Sequence, residues 1–248
     1  MLARRFTCGN RDGGLSVRQA LWQDTALKGI FLMALKLVIG NKNYSSWSMR
    51  PWLALRANNI PFEETFIPLY TGAADKRRIL DVSPAGKVPV LVDGDITVWD
   101  SLAIIEYLAE KFPEKKLWPD DRAGRARARA ISAEMHSGFA ALRNECGMNL
   151  HRPVGPVPLS EEARDNIARV QELWTECLAR HGGPFLFGAF GGADAMYAPV
   201  VHRFRTYAIE VTTVVRRYME AMQALPAFQE WTRDGLAETI IIKKFETV

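Results

Sequence analysis

Nearly every strand signal in this 248-residue chain lies before one proline-bracketed segment, Phe112-Pro113-Glu114-Lys115-Lys116-Leu117-Trp118-Pro119. Upstream of it, short apolar runs alternate with helical patterns. Downstream, apolar residues recur at helical spacing, as in Ile167, Val170, Leu173, Trp174, Cys177 and Leu178. A chain divided in this way folds into a sheet-containing half followed by an all-helical half.

The upstream half reads as a strand over 35–40, a helix over 46–58 and a strand over 63–68, followed by a polar connection carrying Lys76-Arg77-Arg78. Two short strands, Val90-Leu91-Val92 and Ile96-Thr97-Val98-Trp99, flank Asp93-Gly94, a two-residue hairpin signal. Asp100-Ser101 opens a helix with Leu102, Ile105, Leu108 and Ala109 on one face. The order βαβ-α-ββα predicts a mixed four-stranded sheet covered by helices. Helices are expected over 122–146 and 161–180, from near Gly192, and over 208–224 and 226–235. Asp194 is placed to cap the helix that starts near Gly192, a structural role, and Pro199 inside that helix predicts a kink near Ala195. The domains are therefore an extension over 1–33, an α/β domain over 34–113, a linker over 114–121 and a helical domain over 122–248.

Charge and cysteine content exclude several classes. The net charge is +4, but Arg4, Arg5, Arg11, Arg18 and Lys28 against Asp12 and Asp24 leave the body near +1, so nucleic-acid binding gains no support. No run of 18 apolar residues predicts a membrane-spanning helix. Cys8, Cys146 and Cys177 form no Cys-x-x-Cys pair and no zinc-ligand spacing, which predicts no metal site and fits a reducing, cytosolic setting. The first 32 residues lack the apolar core of a secretory signal and are expected to make no packed contacts with the body.

Three short motifs carry candidate chemistry. Ser45 and Ser46 lie at a strand-to-helix turn, where hydroxyls and the positive end of a helix dipole together hold an anion. If that anion is a substrate thiolate, a hydrogen bond of about 1.5–3 kcal/mol and a dipole contribution of about 0.3–1 kcal/mol lower its pKa by about one to three units. The same serines also fit an ordinary helix cap. Val88-Pro89 begins a strand, where a trans proline is the commoner form and a cis bond would expose the Val88 backbone to a ligand. Asp100-Ser101 suits an ammonium and a carboxylate, as in an amino-acid head group, and equally a capping pair.

These motifs, in this order, resemble the glutathione transferase superfamily from about residue 34 to residue 235, and most closely a bacterial serine-type, zeta-like or theta-like cytosolic member. Tyr44-Ser45-Ser46-Trp47-Ser48-Met49-Arg50 is similar to the zeta-type active-site turn, Ser83-Pro84-Ala85-Gly86-Lys87-Val88-Pro89-Val90-Leu91 to the glutathione-backbone segment, Asp100-Ser101 to the γ-glutamyl site and Ala193-Asp194-Ala195 to the helix-start motif of the helical domain. The resemblance implies a thioredoxin-like first domain and a cis Pro89. It implies that Val88 pairs with the cysteinyl backbone of glutathione, that Lys87 meets the glycyl carboxylate, and that Ser101 and Asp100 take the γ-glutamyl carboxylate and ammonium. Ser45 is the first choice as thiol donor, with Ser46 close behind.

Function follows from the same resemblance. Glutathione is the co-substrate, activated as a thiolate for attack on a small apolar electrophile, by a cytoplasmic homodimer. A glutathione-dependent cis-trans isomerase similar to maleylacetoacetate isomerase is the alternative, and a non-catalytic binding protein of the same fold is a further one. The chain departs from the zeta pattern in carrying Trp47 where Cys is usual, Asp100 where Glu is commoner, and Gly191 in place of the helix-start Ser or Thr. Met135, His136 and Phe139 are candidates for the electrophile site. One of Arg125, Arg127 and Arg129 is expected to reach it, and Met148 to Pro158 to border it.

Overall fold

The computed structural model describes residues 35–246, and the expected N-terminal extension lies outside them. Four strands form one mixed sheet, β1 (Leu35–Ile39), β2 (Phe62–Phe66), β3 (Val90–Asp93) and β4 (Ile96–Trp99), in the order β2-β1-β3-β4. β2 lies parallel to β1, and β3 and β4 continue antiparallel, with Val38 opposite Val90 and Asp93 opposite Ile96. The hairpin turn is therefore Gly94-Asp95, one residue later than the Asp93-Gly94 expected. Asp93 stays in the ladder because its buried carboxylate accepts Tyr107 Oη at 2.5 Å and the Lys111 ammonium. Gly94 then supplies the positive φ of 57° that the tight turn needs.

Helices α1 (Ser46–Ala57), α2 (Ala73–Val82) and α3 (Ser101–Lys111) accompany the sheet. The polar connection is thus helical through α2, which buries only Ile79. The second half contains α4 (Arg122–Ser137), α5 (Ala140–Glu145), α6 (Glu161–His181), α7 (Gly192–Thr206), α8 (Thr213–Ala224) and α9 (Pro226–Ala237). One continuous helix was expected over 122–146. The chain breaks it at Gly138-Phe139, where Gly138 is extended and Phe139 turns left-handed with φ 56° while its ring stays in the core. A Cβ on residue 138 would stand 2.8 Å from the Glu134 carbonyl oxygen, so glycine permits the break.

The two halves share one core. α1 buries Trp52, Leu53, Ala54 and Leu55 and packs on α3, α7 and α9. α7 is buried along nearly its whole length, Pro199 included. At its start Asp194 accepts the N–H groups of Leu186 (3.1 Å) and Gly191 (3.0 Å), the structural capping role expected of it. The missing Ser or Thr at residue 191 has a steric cause: a Cβ there would lie 2.8 Å from the Leu117 carbonyl oxygen. No helix among the described residues is long and apolar enough to cross a membrane.

Candidate functional site

The turn from β1 into α1 is a buried polar structure, stapled by distant segments. Asn41 accepts the N–H of Ser45 (2.7 Å) on its carbonyl and that of Leu69 (2.9 Å) on its side chain. The Asn43 side chain accepts the N–H groups of Leu150 (2.6 Å) and His151 (3.3 Å), which ties the start of the 148–158 segment to the turn. Glu238 accepts the N–H groups of Lys42 (2.5 Å) and Asn43 (3.2 Å), and Tyr44 Oη donates to Glu246 at 2.5 Å. These bonds satisfy the buried backbone N–H groups of Lys42, Asn43 and Ser45, while the side-chain amide nitrogens of Asn41 and Asn43 have no partner among the described residues.

Ser45 and Ser46 differ sharply in their partners. Ser45, 6% exposed, is the N-cap of α1. Its Oγ accepts the Ser48 N–H (3.3 Å) and shares a hydrogen bond with Ser48 Oγ (2.8 Å), which also accepts the Gly40 N–H (3.1 Å). Ser46, 9% exposed, accepts from Arg203 Nη2 of α7 at 3.4 Å. One turn along α1 from Ser46, Arg50 donates from Nη1 to Ser101 Oγ at 3.2 Å, joining the serine turn to the start of α3.

Around Ser46 and Ser101 stand three guanidinium groups with no carboxylate at ion-pair distance among the described residues. Arg50 is stacked over Trp47, 4.3 Å from its ring centre, and Arg143 lies 5.5 Å from the same ring. Burial, and then the repulsion of Arg143 and Arg203, brings Arg50 down to about 9. Burial does the same to Arg203, to about 10, and lowers Arg143. Among the described residues Arg50 Nε is buried without a partner. Arg143 is half-buried and donates to the His136 carbonyl at 3.2 Å, while Arg50 and Arg203 are buried. Burying these two charges without a carboxylate at ion-pair distance is costly, and an incoming anion relieves it.

The remaining expected residues fall at the same end of the sheet. The Val88–Pro89 peptide is cis. Because Val38 pairs with Val90 in antiparallel register, this bond lies beside the turn that follows β1. Lys87 is exposed and Val88 half-buried. Asp100 adopts φ 78° and caps α3 through Oδ1, which accepts the N–H groups of Leu102 (2.9 Å) and Ala103 (3.3 Å). Its Oδ2 meets His136 Nε2 of α4 at 3.2 Å, and the His136 ring sits edge-on to Trp47 at 5.2 Å.

The expected arginines do not reach the site. Arg125 bonds to the carbonyls of Pro119 and Asp120, while Arg127 and Arg129 pair with Glu176 and Glu106. They point outward because Ala128, Ile131 and Met135 form the buried face of α4. The arginines present are Arg50, Arg143 and Arg203, which the sequence reading did not single out. Arg50 carried a signal, four residues after Ser46 and so on the same helical face. Arg203 carried none, since it stands between His202 and Phe204-Arg205 with no spacing that singles it out. Among the described residues no cluster of His, Cys, Asp and Glu is arranged to hold a metal ion.

Comparisons with known proteins agree with this geometry. Residues 44–111 match the model of the glutathione S-transferase N-terminal domain, and residues 157–234 that of the C-terminal domain. Glutathione S-transferase 1 of Dianthus caryophyllus is 33% identical over 168 residues, 67% of this chain and 76% of that protein. A probable maleylacetoacetate isomerase of Caenorhabditis elegans is 31% identical over 188 residues, 74% of this chain and 87% of that one. The solved structure of a glutathione transferase homologue from Burkholderia gl BGR1, with bound glutathione, is 25% identical with a TM-score of 0.63, covering 83% of this chain and all of that one. With its mixed four-stranded sheet, its helical second half and both family domains, the chain belongs to the glutathione S-transferase family.

Proposed function

We propose that this chain binds glutathione across α1, the Val88–Pro89 segment and the start of α3, and holds its sulfur as a thiolate for attack on a small electrophile. The observation that carries the reading is the pair of buried arginines, Arg50 on Ser101 and Arg203 on Ser46, with no carboxylate at ion-pair distance among the described residues. Such a set favours a ligand with negative groups at both places. Glutathione supplies one carboxylate at its γ-glutamyl end, a second at its glycyl end and a sulfur that ionises between them.

The residue roles follow from the donors available. Ser101 and Arg50 receive the γ-glutamyl carboxylate, and Arg50 Nε gains a partner it lacks among the described residues. Asp100 Oδ2 receives the ammonium in place of His136. The Val88 N–H and carbonyl pair with the cysteinyl backbone, and Lys87, exposed and long, meets the glycyl carboxylate. Residues 114–121 connect this half to the helical one. Ser45 and Ser46 are the candidate thiol donors. Ser45 shares a hydrogen bond with the Ser48 hydroxyl, whereas Ser46 accepts from Arg203, which has donors only and so leaves the Ser46 proton for the sulfur; Ser46 is the donor in this reading. The Ser46 hydroxyl and the N-terminus of α1 then stabilise the charged form by a total of about 2–4 kcal/mol. The resulting C–S bond forms as the electrophile's leaving group departs with its bonding pair. The enzyme acts as a cytoplasmic homodimer in this reading.

A second reading, glutathione-dependent cis-trans isomerisation, is favoured by one observation. Arg143 lies over Trp47 beside the thiol donor, outside the positions assigned to glutathione, and suits a carboxylate on a conjugated substrate. A panel containing apolar aryl and alkyl halides and a maleyl-type isomerisation substrate separates the two. Turnover of the halides alone supports conjugation, turnover of the maleyl compound alone supports isomerisation, and turnover of neither rejects both.

A further inference from the structure

Arg203 lies on α7, remote in sequence from every residue of the glutathione cradle, yet its guanidinium ends on Ser46. It is 5% exposed. Nη1 is anchored by the carbonyls of Arg143 (3.1 Å) and Cys146 at the end of α5, and this fork aims Nη2 at Ser46 Oγ, 3.4 Å away. A guanidinium carries donors only. Ser46 Oγ is therefore the acceptor in this pair, and its own proton points away from Arg203.

We propose that Arg203 is a positioning residue for thiol activation, acting through Ser46: it occupies an acceptor lone pair of that hydroxyl, directs the remaining proton toward the bound sulfur, and polarises it as a donor. The inference rests on the thiolate reading above. It adds that the chemistry of the glutathione-binding half is completed by the helical half. Ser45 has no cation on its hydroxyl among the described residues; its Oγ bonds to the Ser48 hydroxyl and backbone N–H.

The groups facing Arg203 are Arg143, Cys146, Tyr207 and Ser46, with Arg50 nearby on α1. Burial pushes the Cys146 thiol up to about 11 and raises Tyr207. A titration seen below pH 8 in a bound-thiolate signal is accordingly not theirs.

The test is an ultraviolet titration of the glutathione thiolate bound to the full-length protein, with glutathione Kd measured in parallel by calorimetry. Arg203→Met removes both charge and donors. Arg203→Gln keeps a donor for the Cys146 carbonyl, loses the charge, and guards against a failure of the first variant to fold. Either is expected to raise the bound thiol pKa by about one unit, a tenfold loss of thiolate at fixed pH below it, with Kd changed less than threefold. Arg203→Lys, which restores the charge, brings the value most of the way back. In a Ser46→Ala background Arg203→Gln should add nothing, because the two act as one unit. A wild-type thiol pKa in a folded Arg203→Gln variant, with the Ser46→Ala value raised, overturns this inference and leaves the serine reading standing. An unchanged value in Ser46→Ala overturns the choice of Ser46 itself.

Discussion

Replacing Arg50 by methionine should stabilise the ligand-free protein and weaken its complex with glutathione. Opposite signs of this kind identify a charge kept for a ligand. Arg50 is 2% exposed, and its pKa falls from 12.5 to about 9. At about 1.36 kcal/mol per unit, that is roughly 5 kcal/mol of opposition to the charge. A base whose folded pKa lies below its unfolded value carries this cost in full at any pH below the folded value. Relief therefore begins only above about pH 9, and at neutral pH the whole cost is present. Against it stand the bond to Ser101, about 1.5–3 kcal/mol, and the stacking on Trp47, about 0.5–2 kcal/mol. Methionine fills similar volume without charge, so a net gain of roughly 1–2 kcal/mol is expected. At about 2–4 °C per kcal/mol for a body of this size, Tm rises by roughly 2–8 °C. The same change removes the partner of a buried carboxylate, worth at least about 2 kcal/mol, so Kd for glutathione weakens about 30-fold or more. Scanning calorimetry without ligand and titration calorimetry with glutathione read the two effects. A Tm several degrees lower, together with an unchanged Kd, would refute the reasoning.

Two further substitutions probe the frame around the site. Gly235→Ala, which in an ordinary helix gains about 1 kcal/mol, should here destabilise by about 1–3 kcal/mol. The new Cβ would stand 2.5 Å from Leu150 Cδ1 and 3.2–3.3 Å from the Lys42–Asn43 backbone; a higher denaturation midpoint would contradict the close approach of α9 to the serine turn. His202 is buried and stacked on Phe228, and burial drives its pKa down to about 3. The unfolded chain takes up this proton first, so stability should fall by up to about 1.4 kcal/mol per pH unit as pH drops from about 6.5 toward 3. His202→Phe should flatten that stretch of the stability curve, and an identical slope in both proteins would show the buried imidazole is not its source.

Local pattern made most of the fold legible. β1, α1, β3 and α3 bury the apolar residues that the sequence pattern marks, while β4 leaves Ile96 and Trp99 exposed, and the cap residues Ser45 and Asp100 stand where the helices begin. The break at Gly138-Phe139 was not legible, because a glycine within a helical pattern is tolerated and the left-handed Phe139 is held by burial in the shared core. The turn serines and Asp100-Ser101 were visible as motifs. What joins them was not: Arg143 and Arg203 come from the helical half, and no spacing rule relates residue 46 to residue 203. Arg125, Arg127 and Arg129 misled because helical phase places all three away from the face that Ala128, Ile131 and Met135 bury.

The central claim is that the serine turn holds a thiolate, and the ionisation of glutathione bound to the wild-type protein tests it most directly. A free thiol titrates near about 8.5. One hydroxyl bond together with the helix N-terminus should bring the bound thiol down by about one to three units. A bound-thiolate absorbance that half-develops at least one unit below the free value, and moves back up in Ser46→Ala, is the predicted result. Tight binding with ionisation at the free value would contradict it.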